Sequence, residues 1–229
     1  MLRGVLLDVG GTLWPQHPPR VGLDPRLEAL QRLLPALEPT RALAVLLEHV
    51  RRDTGLEQHP HQLLAEALRS LYSGEPEADP ASVRRALCVP AISSLRPYPG
   101  TSELLNVLKS RELRCVIVSN VEVRGALEYE RDFEDVGIAH LVDAVVTSLE
   151  VGFRKPHRAV FEAAIWAAGC APMECVMVGN SEENDIEPAV ALGLRAIRVA
   201  IEEPWPQSSA ADRMVTNLAA VSELLSCWR

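Results

Sequence analysis

The sequence predicts an α/β fold: a parallel sheet with helices on both faces, interrupted after its first strand by an all-helical segment. Three observations predict it. Short, β-branched apolar runs recur, with the length and composition of strands covered on both faces. Amphipathic helical stripes separate the later runs. Between about residues 22 and 90, helical patterns instead follow one another with no strand among them.

Taken in order, Val5-Leu6-Leu7 is the first strand. Leu27, Leu30, Leu33 and Leu34, then Ala42, Val45, Leu46 and Leu47, then Leu63, Leu64, Ala67, Leu68 and Leu71 fall at helical spacings. Breakers such as Ser73-Gly74-Glu75-Pro76 divide them. After Pro99-Gly100, Leu104, Leu105 and Leu108 share one helical face. Cys115-Val116-Ile117-Val118 and Ala144-Val145-Val146 supply the second and third strands. Val160, Phe161, Ala164, Ile165 and Ala168 form a stripe that Gly169, a natural helix stop, brings to an end. Cys175-Val176-Met177-Val178 and Ala196-Ile197-Arg198-Val199 are the fourth and fifth strands. Strand alternating with helix calls for a parallel sheet.

Composition narrows the class. The chain has 229 residues, 48% hydrophobic and 24% charged, as soluble domains do. Folding at this length buries roughly 70% of the unfolded surface, so a core needs no disulfide or metal staple. Aromatics make up only 4%, which makes the core aliphatic, and 17 prolines mark firm breaks between elements. Net charge is −8, and Lys109 and Lys155 are the only lysines among 23 basic residues. The arginines are scattered, which argues against a nucleic-acid partner. Cys88, Cys115, Cys170, Cys175 and Cys227 are odd in number and irregularly spaced, unlike a disulfide framework. Cys115 and Cys175 open apolar runs as small hydrophobes, and the Cys170/Cys175 pair reads as packing. Met1-Leu2-Arg3-Gly4 reaches Asp8 after three apolar residues, too short for a signal h-region, and no run has transmembrane length. The expectation is a cytoplasmic protein with no membrane partner. His59-Pro60-His61 lacks companion ligands and reads as a surface turn rather than a metal site.

In an open parallel sheet, ligands bind beyond the carboxyl ends of the strands. The first strand ends in Asp8-Val9-Gly10-Gly11-Thr12, the second in Ser119-Asn120, and the fourth in Gly179-Asn180-Ser181, with Glu182, Glu183 and Asp185 following. Lys155 lies between the third strand and its helix, in Gly152-Phe153-Arg154-Lys155-Pro156. A carboxylate nucleophile facing a hydroxyl, an ammonium and a second carboxylate is suited to receiving a phosphoryl group.

These segments, in this order, resemble the haloacid dehalogenase-like (HAD) hydrolase superfamily. Its pattern is a nucleophilic Asp in D-x-D-G-T, a Ser or Thr after the second strand, a Lys, and an acidic segment after the fourth strand. Asp8, Ser119, Lys155 and Asp185 match it, as do Tyr98-Pro99-Gly100, Val151-Gly152 and Ala191-Leu192-Gly193-Leu194. The resemblance covers about residues 1–14 and 95–220. It implies a Rossmann-like core over 1–14 and 93–229 and a helical cap over 15–92. It also implies catalytic roles for Asp8, Ser119 and Lys155, and substrate contacts from Gly11, Thr12 and Asn120. Mg²⁺ would be held by Asp8, the Gly10 carbonyl, Asn180 and Asp185. Two positions depart from the pattern. Gly10 stands where the family's second Asp protonates the leaving oxygen, and Asn180 stands where an acid is usual, so Mg²⁺ binding is expected to be weak. Loss of a general acid is worth about 10²–10⁴ in rate; His17, close behind, is a candidate substitute. The resemblance therefore implies a Mg²⁺-dependent phosphatase acting through an aspartyl-phosphate on Asp8, with a small phosphorylated substrate. The alternatives are a metal-independent 2-haloacid dehalogenase with a halogenated substrate, or a non-catalytic binding protein with the same fold. Phosphonate cleavage through a cap lysine is excluded, because no lysine precedes Lys109.

Overall fold

The computed structural model describes every residue except 17–23, 53–59, 73, 75, 77, 90–95, 203, 205–206 and 229. The apolar runs form β1 (Gly4–Leu7), β2 (Arg114–Ser119), β3 (Ala144–Thr147), β4 (Cys175–Gly179) and β5 (Arg195–Val199). A further strand, β6 (Arg213–Val215), was not expected from the sequence. All pair in parallel, in the order β3-β2-β1-β4-β5-β6. Because side chains alternate along a strand, each run feeds both faces. Val5, Leu7, Cys115, Ile117, Val176 and Val178 join one core cluster, while Leu6, Val116, Val118, Cys175 and Met177 join the other. Burial on both faces explains why these strands read as continuous apolar runs.

The helical segment after β1 comprises α1 (Pro25–Leu33), α2 (Pro39–Arg52), α3 (Pro60–Leu71) and α4 (Pro80–Leu87). Each opens on a proline, which the first helical turn tolerates because its N–H has no intrahelical partner. Asp24 and Asp79 cap α1 and α4, and Asp79 accepts from the N–H groups of Ala81 and Ser82. These helices pack around their own aliphatic cluster, including Leu30, Leu46, Leu64, Leu68 and Val83. Pro60 and His61 begin α3 rather than forming the expected turn. His59 and His17 lie outside the described residues, as does the expected boundary at 92/93.

The sheet's own helices are α5 (Thr101–Ser110), α6 (Ala126–Asp135), the single turn α7 (Ser148–Val151), α8 (Arg158–Ala168), α9 (Glu187–Ala191) and α10 (Leu218–Cys227). Leu104 and Leu108 of α5, Phe133 of α6 and Leu218 and Val221 of α10 cover one face; Val160 and Phe161 of α8 and Ala189 of α9 cover the other. The α1–α4 segment meets this body where α2 and α4 approach the β2–α6 loop and the start of α6. Arg84 pairs with Glu128 at 3.2 Å, Arg51 with Glu122 at 2.7 Å, and the Cys88 thiol donates to the Val123 carbonyl at 3.2 Å. The segment leaves and returns side by side: the Tyr98 N–H (2.8 Å) and the Thr101 hydroxyl (2.9 Å) both donate to the Leu13 carbonyl. All five cysteines are free, and Cys88, Cys115 and Cys175 are buried as small hydrophobes. No described helix is long and apolar enough to cross a membrane.

Phe161 is fully buried between α8 and the sheet. Phe161→Ala is expected to cost about 3–5 kcal/mol in urea unfolding; a loss under about 1 kcal/mol would contradict this packing.

Candidate active site

In the observed strand order the chain reverses direction across the sheet between β1 and β4, and the crevice beyond their carboxyl ends is the natural ligand position. Asp8 follows β1 directly, and its N–H donates to the Val178 carbonyl of β4 at 2.9 Å. The turn after it is tight. The Gly11 N–H donates to the Trp14 carbonyl at 2.7 Å with φ at +79°, a left-handed conformation that favours glycine. A Cβ at Gly11 would also sit 2.4 Å from the Asn180 Nδ2. Gly10 has no such constraint, since the nearest atom to a Cβ there is Gln16 Cα at 3.7 Å.

Lys155 organises the site. It is buried, and its three ammonium protons reach Asp8 Oδ1 (2.6 Å), Asp185 Oδ1 (2.7 Å) and the Val118 carbonyl (2.9 Å). A Lys ammonium has three donors, and all three are used. The Asn120 amide holds the Lys155 backbone at both ends, accepting from its N–H at 2.7 Å and donating to its carbonyl at 2.9 Å. The second Asp8 oxygen accepts from the Thr12 hydroxyl at 3.0 Å. Asp185 is presented by a π-helical turn, Glu182–Ile186, and its Oδ2 accepts from the Ser181 N–H at 3.0 Å. Gly179 makes room for it: a Cβ there would lie 2.5 Å from Asp185 Oδ2.

Burial and charge oppose one another here. Burial alone would drive the Lys155 ammonium towards neutrality, but the Asp185 and Asp8 carboxylates outweigh it and hold the pKa above the ordinary lysine value. For Asp185, burial dominates and the nearby Asp8 charge adds to it; Lys155 pulls the other way, and the carboxyl is pushed up to about 6.

Asp8, Gly10, Ser119, Asn120, Lys155, Asn180 and Asp185 line one polar pocket of about 300 Å³. Gly11 and Thr12, expected to touch substrate, are buried, Gly11 shaping the turn and Thr12 orienting Asp8. The Asn120 amide is likewise turned to Lys155. Glu182 is drawn away from the pocket by Arg198 (2.8 Å) and Ser209 (2.6 Å). Four residues of the lining, Gln16, Tyr129, Ser181 and Asn184, were not among the site residues expected from the sequence. Tyr129, in α6, brings its hydroxyl within 3.0 Å of Ser119 Oγ and stacks on Trp14. Gln16 reaches back over Gly10, and its Oε1 accepts from Asn180 Nδ2 at 3.4 Å. Among the described residues, none of α1–α4 lines the pocket.

For a divalent cation the pocket offers the two carboxylates of Asp8 and Asp185, the Gly10 carbonyl and the Asn180 amide oxygen. These are hard oxygen donors, the kind Mg²⁺ accepts while keeping several waters. No group of three His, Cys, Asp or Glu gathers among the described residues, in keeping with an amide at position 180. Chemically, a carboxylate oriented by a hydroxyl and an ammonium beside a polar pocket can attack an electrophilic phosphorus or carbon.

Residues 2–193 match the haloacid dehalogenase-like hydrolase family. A glyceraldehyde 3-phosphate phosphatase from Methanothermobacter thermautotrophicus is 42% identical over 109 residues, 47% of this chain and 46% of that protein. A ribulose-1,5-bisphosphate 5-phosphatase from Halopiger xanaduensis is 28% identical over 229 residues, 96% of this chain and 94% of that protein. Among solved structures, a 2-haloacid dehalogenase from Pseudomonas syringae pv. Tomato superposes with a TM-score of 0.75 at 19% identity, covering all of both chains.

Lys155→Met removes the cation that lowers the Asp185 pKa while leaving its burial in place. The Asp185 carboxyl is then expected to titrate above its wild-type value of about 6, read from carboxyl carbon shifts by NMR; an unchanged or lower value would contradict the pairing.

Proposed function

Because the chain belongs to the haloacid dehalogenase-like hydrolase family, we propose that it is a Mg²⁺-dependent phosphatase acting through an aspartyl-phosphate on Asp8. The observation that carries this reading is the Asp8 carboxylate, fixed by Thr12 and Lys155 at the edge of a pocket lined by polar and charged groups. Phosphatases among the similar proteins support it. Those similarities support a small phosphorylated metabolite as the substrate.

Asp8 attacks phosphorus through a remaining lone pair of its carboxylate, which Lys155 orients at Oδ1 and Thr12 at Oδ2. The Ser119 hydroxyl donates to a phosphoryl oxygen, and Tyr129 orients that hydroxyl. Lys155 keeps positive charge beside the developing negative charge, the preorganised stabilisation that usually dominates such catalysis. Asp8, Asp185, Asn180 and the Gly10 carbonyl would hold Mg²⁺, which when bound supplies charge neutralisation and alignment for phosphoryl transfer. The polar lining favours phosphorus over a carbon–halogen bond as the target.

Phosphate release from para-nitrophenyl phosphate is expected to require both Mg²⁺ and Asp8, and to fall to background in Asp8→Asn. Halide release from a 2-haloacid without metal, in place of phosphate release, would replace this reading with a dehalogenase. Protons and Mg²⁺ compete for Asp185, whose metal-free pKa is about 6. Apparent Mg²⁺ affinity is therefore expected to weaken as pH falls through about 6 and to level off above it; affinity that rises on acidification would contradict Asp185 as a ligand.

A further inference from the structure

The described residues of the pocket supply a nucleophile but no strongly acidic proton donor. A phosphate ester of an ordinary alcohol needs a proton on its leaving oxygen, because an alkoxide is too basic to depart alone. Among the described residues lining the pocket, every ammonium proton is already committed, and the hydroxyl protons that remain on Ser119, Tyr129 and Ser181 are weakly acidic. The Lys155 protons go to Asp8, Asp185 and Val118. The Tyr129 and Ser119 hydroxyls share one hydrogen bond. Asp185 is buried, with one oxygen on Lys155 and the other on the Ser181 N–H. The space that a side chain at position 10 would fill is bordered by Gln16, whose carboxamide is no acid.

We infer that this site is specialised for phosphoryl donors whose leaving group departs without a proton: acyl phosphates, enol phosphates and phosphates of acidic phenols. The inference rests on the phosphatase reading and narrows it, and it sets this chain apart from the sugar-phosphate esters in its relatives' names. In the first step an Asp8 oxygen bonds to phosphorus and the bond from phosphorus to the leaving oxygen breaks. That oxygen keeps the electron pair and leaves as a carboxylate, enolate or phenolate. In the second step water bonds to phosphorus, the bond to Asp8 breaks with its pair returning to the carboxylate, and the proton of water passes to solvent. The described pocket offers no free base for this second step. The phosphorylated enzyme therefore accumulates when the first step is fast.

Gly10 is not imposed by the fold. A Cβ there meets nothing closer than 3.7 Å, and the neighbours are atoms of the exposed Gln16. An acid can therefore be introduced at this position.

The test compares kcat/KM of the full chain with Mg²⁺ for acetyl phosphate, para-nitrophenyl phosphate, phenyl phosphate and glycerol phosphate. The first two are expected to exceed the last by about 10²–10⁴, the usual worth of a general acid, with a burst of nitrophenolate before steady state. Gly10→Asp is expected to shrink the ratio of nitrophenyl to glycerol phosphate by about tenfold or more. Wild-type rates within a few-fold across all four substrates would overturn the inference while leaving the phosphatase reading intact. A flat profile that steepens in His17→Ala would also overturn it, assigning the proton to His17. Absence of Asp8-dependent phosphate release from every substrate, acetyl phosphate included, would overturn the reading and the inference together.

Discussion

The site depends on one buried ammonium. Lys155 reaches it from the segment between β3 and α8 and is met there by Asp8 from the end of β1, Val118 from β2 and Asp185 from the turn after β4. Each acceptor comes from a different strand connection, so the contact can form only when the central strands are in register. Removing one partner of a buried charge pair costs about 3–5 kcal/mol, which ties the chemistry of the pocket to the integrity of the sheet. One cation between two carboxylates also leaves a unit of negative charge in a poorly solvated place. Burial is the main cause of the upward push on Asp185, and the Asp8 charge adds to it.

How much of this was legible in the sequence follows from how local each signal is. β1 to β5 were readable because burial on both faces makes most of their positions apolar, with arginine only at exposed or half-buried places such as Arg114, Arg195 and Arg198. β6 was not: Arg213-Met214-Val215 is three residues long at the sheet edge, and only Val215 is buried. The convergence of Asp8, Ser119, Lys155 and Asp185 could be read because each sits at a strand end, and the carboxyl ends of parallel strands share one edge. Roles that depend on where a side chain turns were less visible. Asn120, expected to meet substrate, lines the pocket and also holds the Lys155 backbone through both ends of its amide, a role no strand-end position announces. Thr12, expected to meet substrate, turns its hydroxyl to Asp8. Tyr129 lay beyond sequence reasoning altogether, because it reaches Ser119 from an α6 whose periodicity had not been recognised.

The two departures from the family pattern have different physical standing. Asn180 is woven into its surroundings: its amide meets Gln16, its carbonyl accepts from Arg198, and its Nδ2 lies where any side chain at Gly11 would intrude. Gly10 is bound by nothing of the kind. Replacing Asn180 would disturb a packed corner, whereas position 10 is open to substitution. The structure therefore makes Gly10 a matter of chemistry rather than of fold.

The helical segment between β1 and α5 departs after Leu13 and returns at Tyr98, where both strands of chain are pinned to a single carbonyl. It has its own aliphatic centre, and among the described residues it lends the pocket Gln16 at its root and nothing from α1–α4. Two adjacent junctions on a rigid base are what a modular architecture needs. Over evolutionary time such a segment can be lengthened, shortened or traded while the nucleophile, the ammonium and their register stay untouched. Diversification of what enters the site is thereby decoupled from preservation of what happens there.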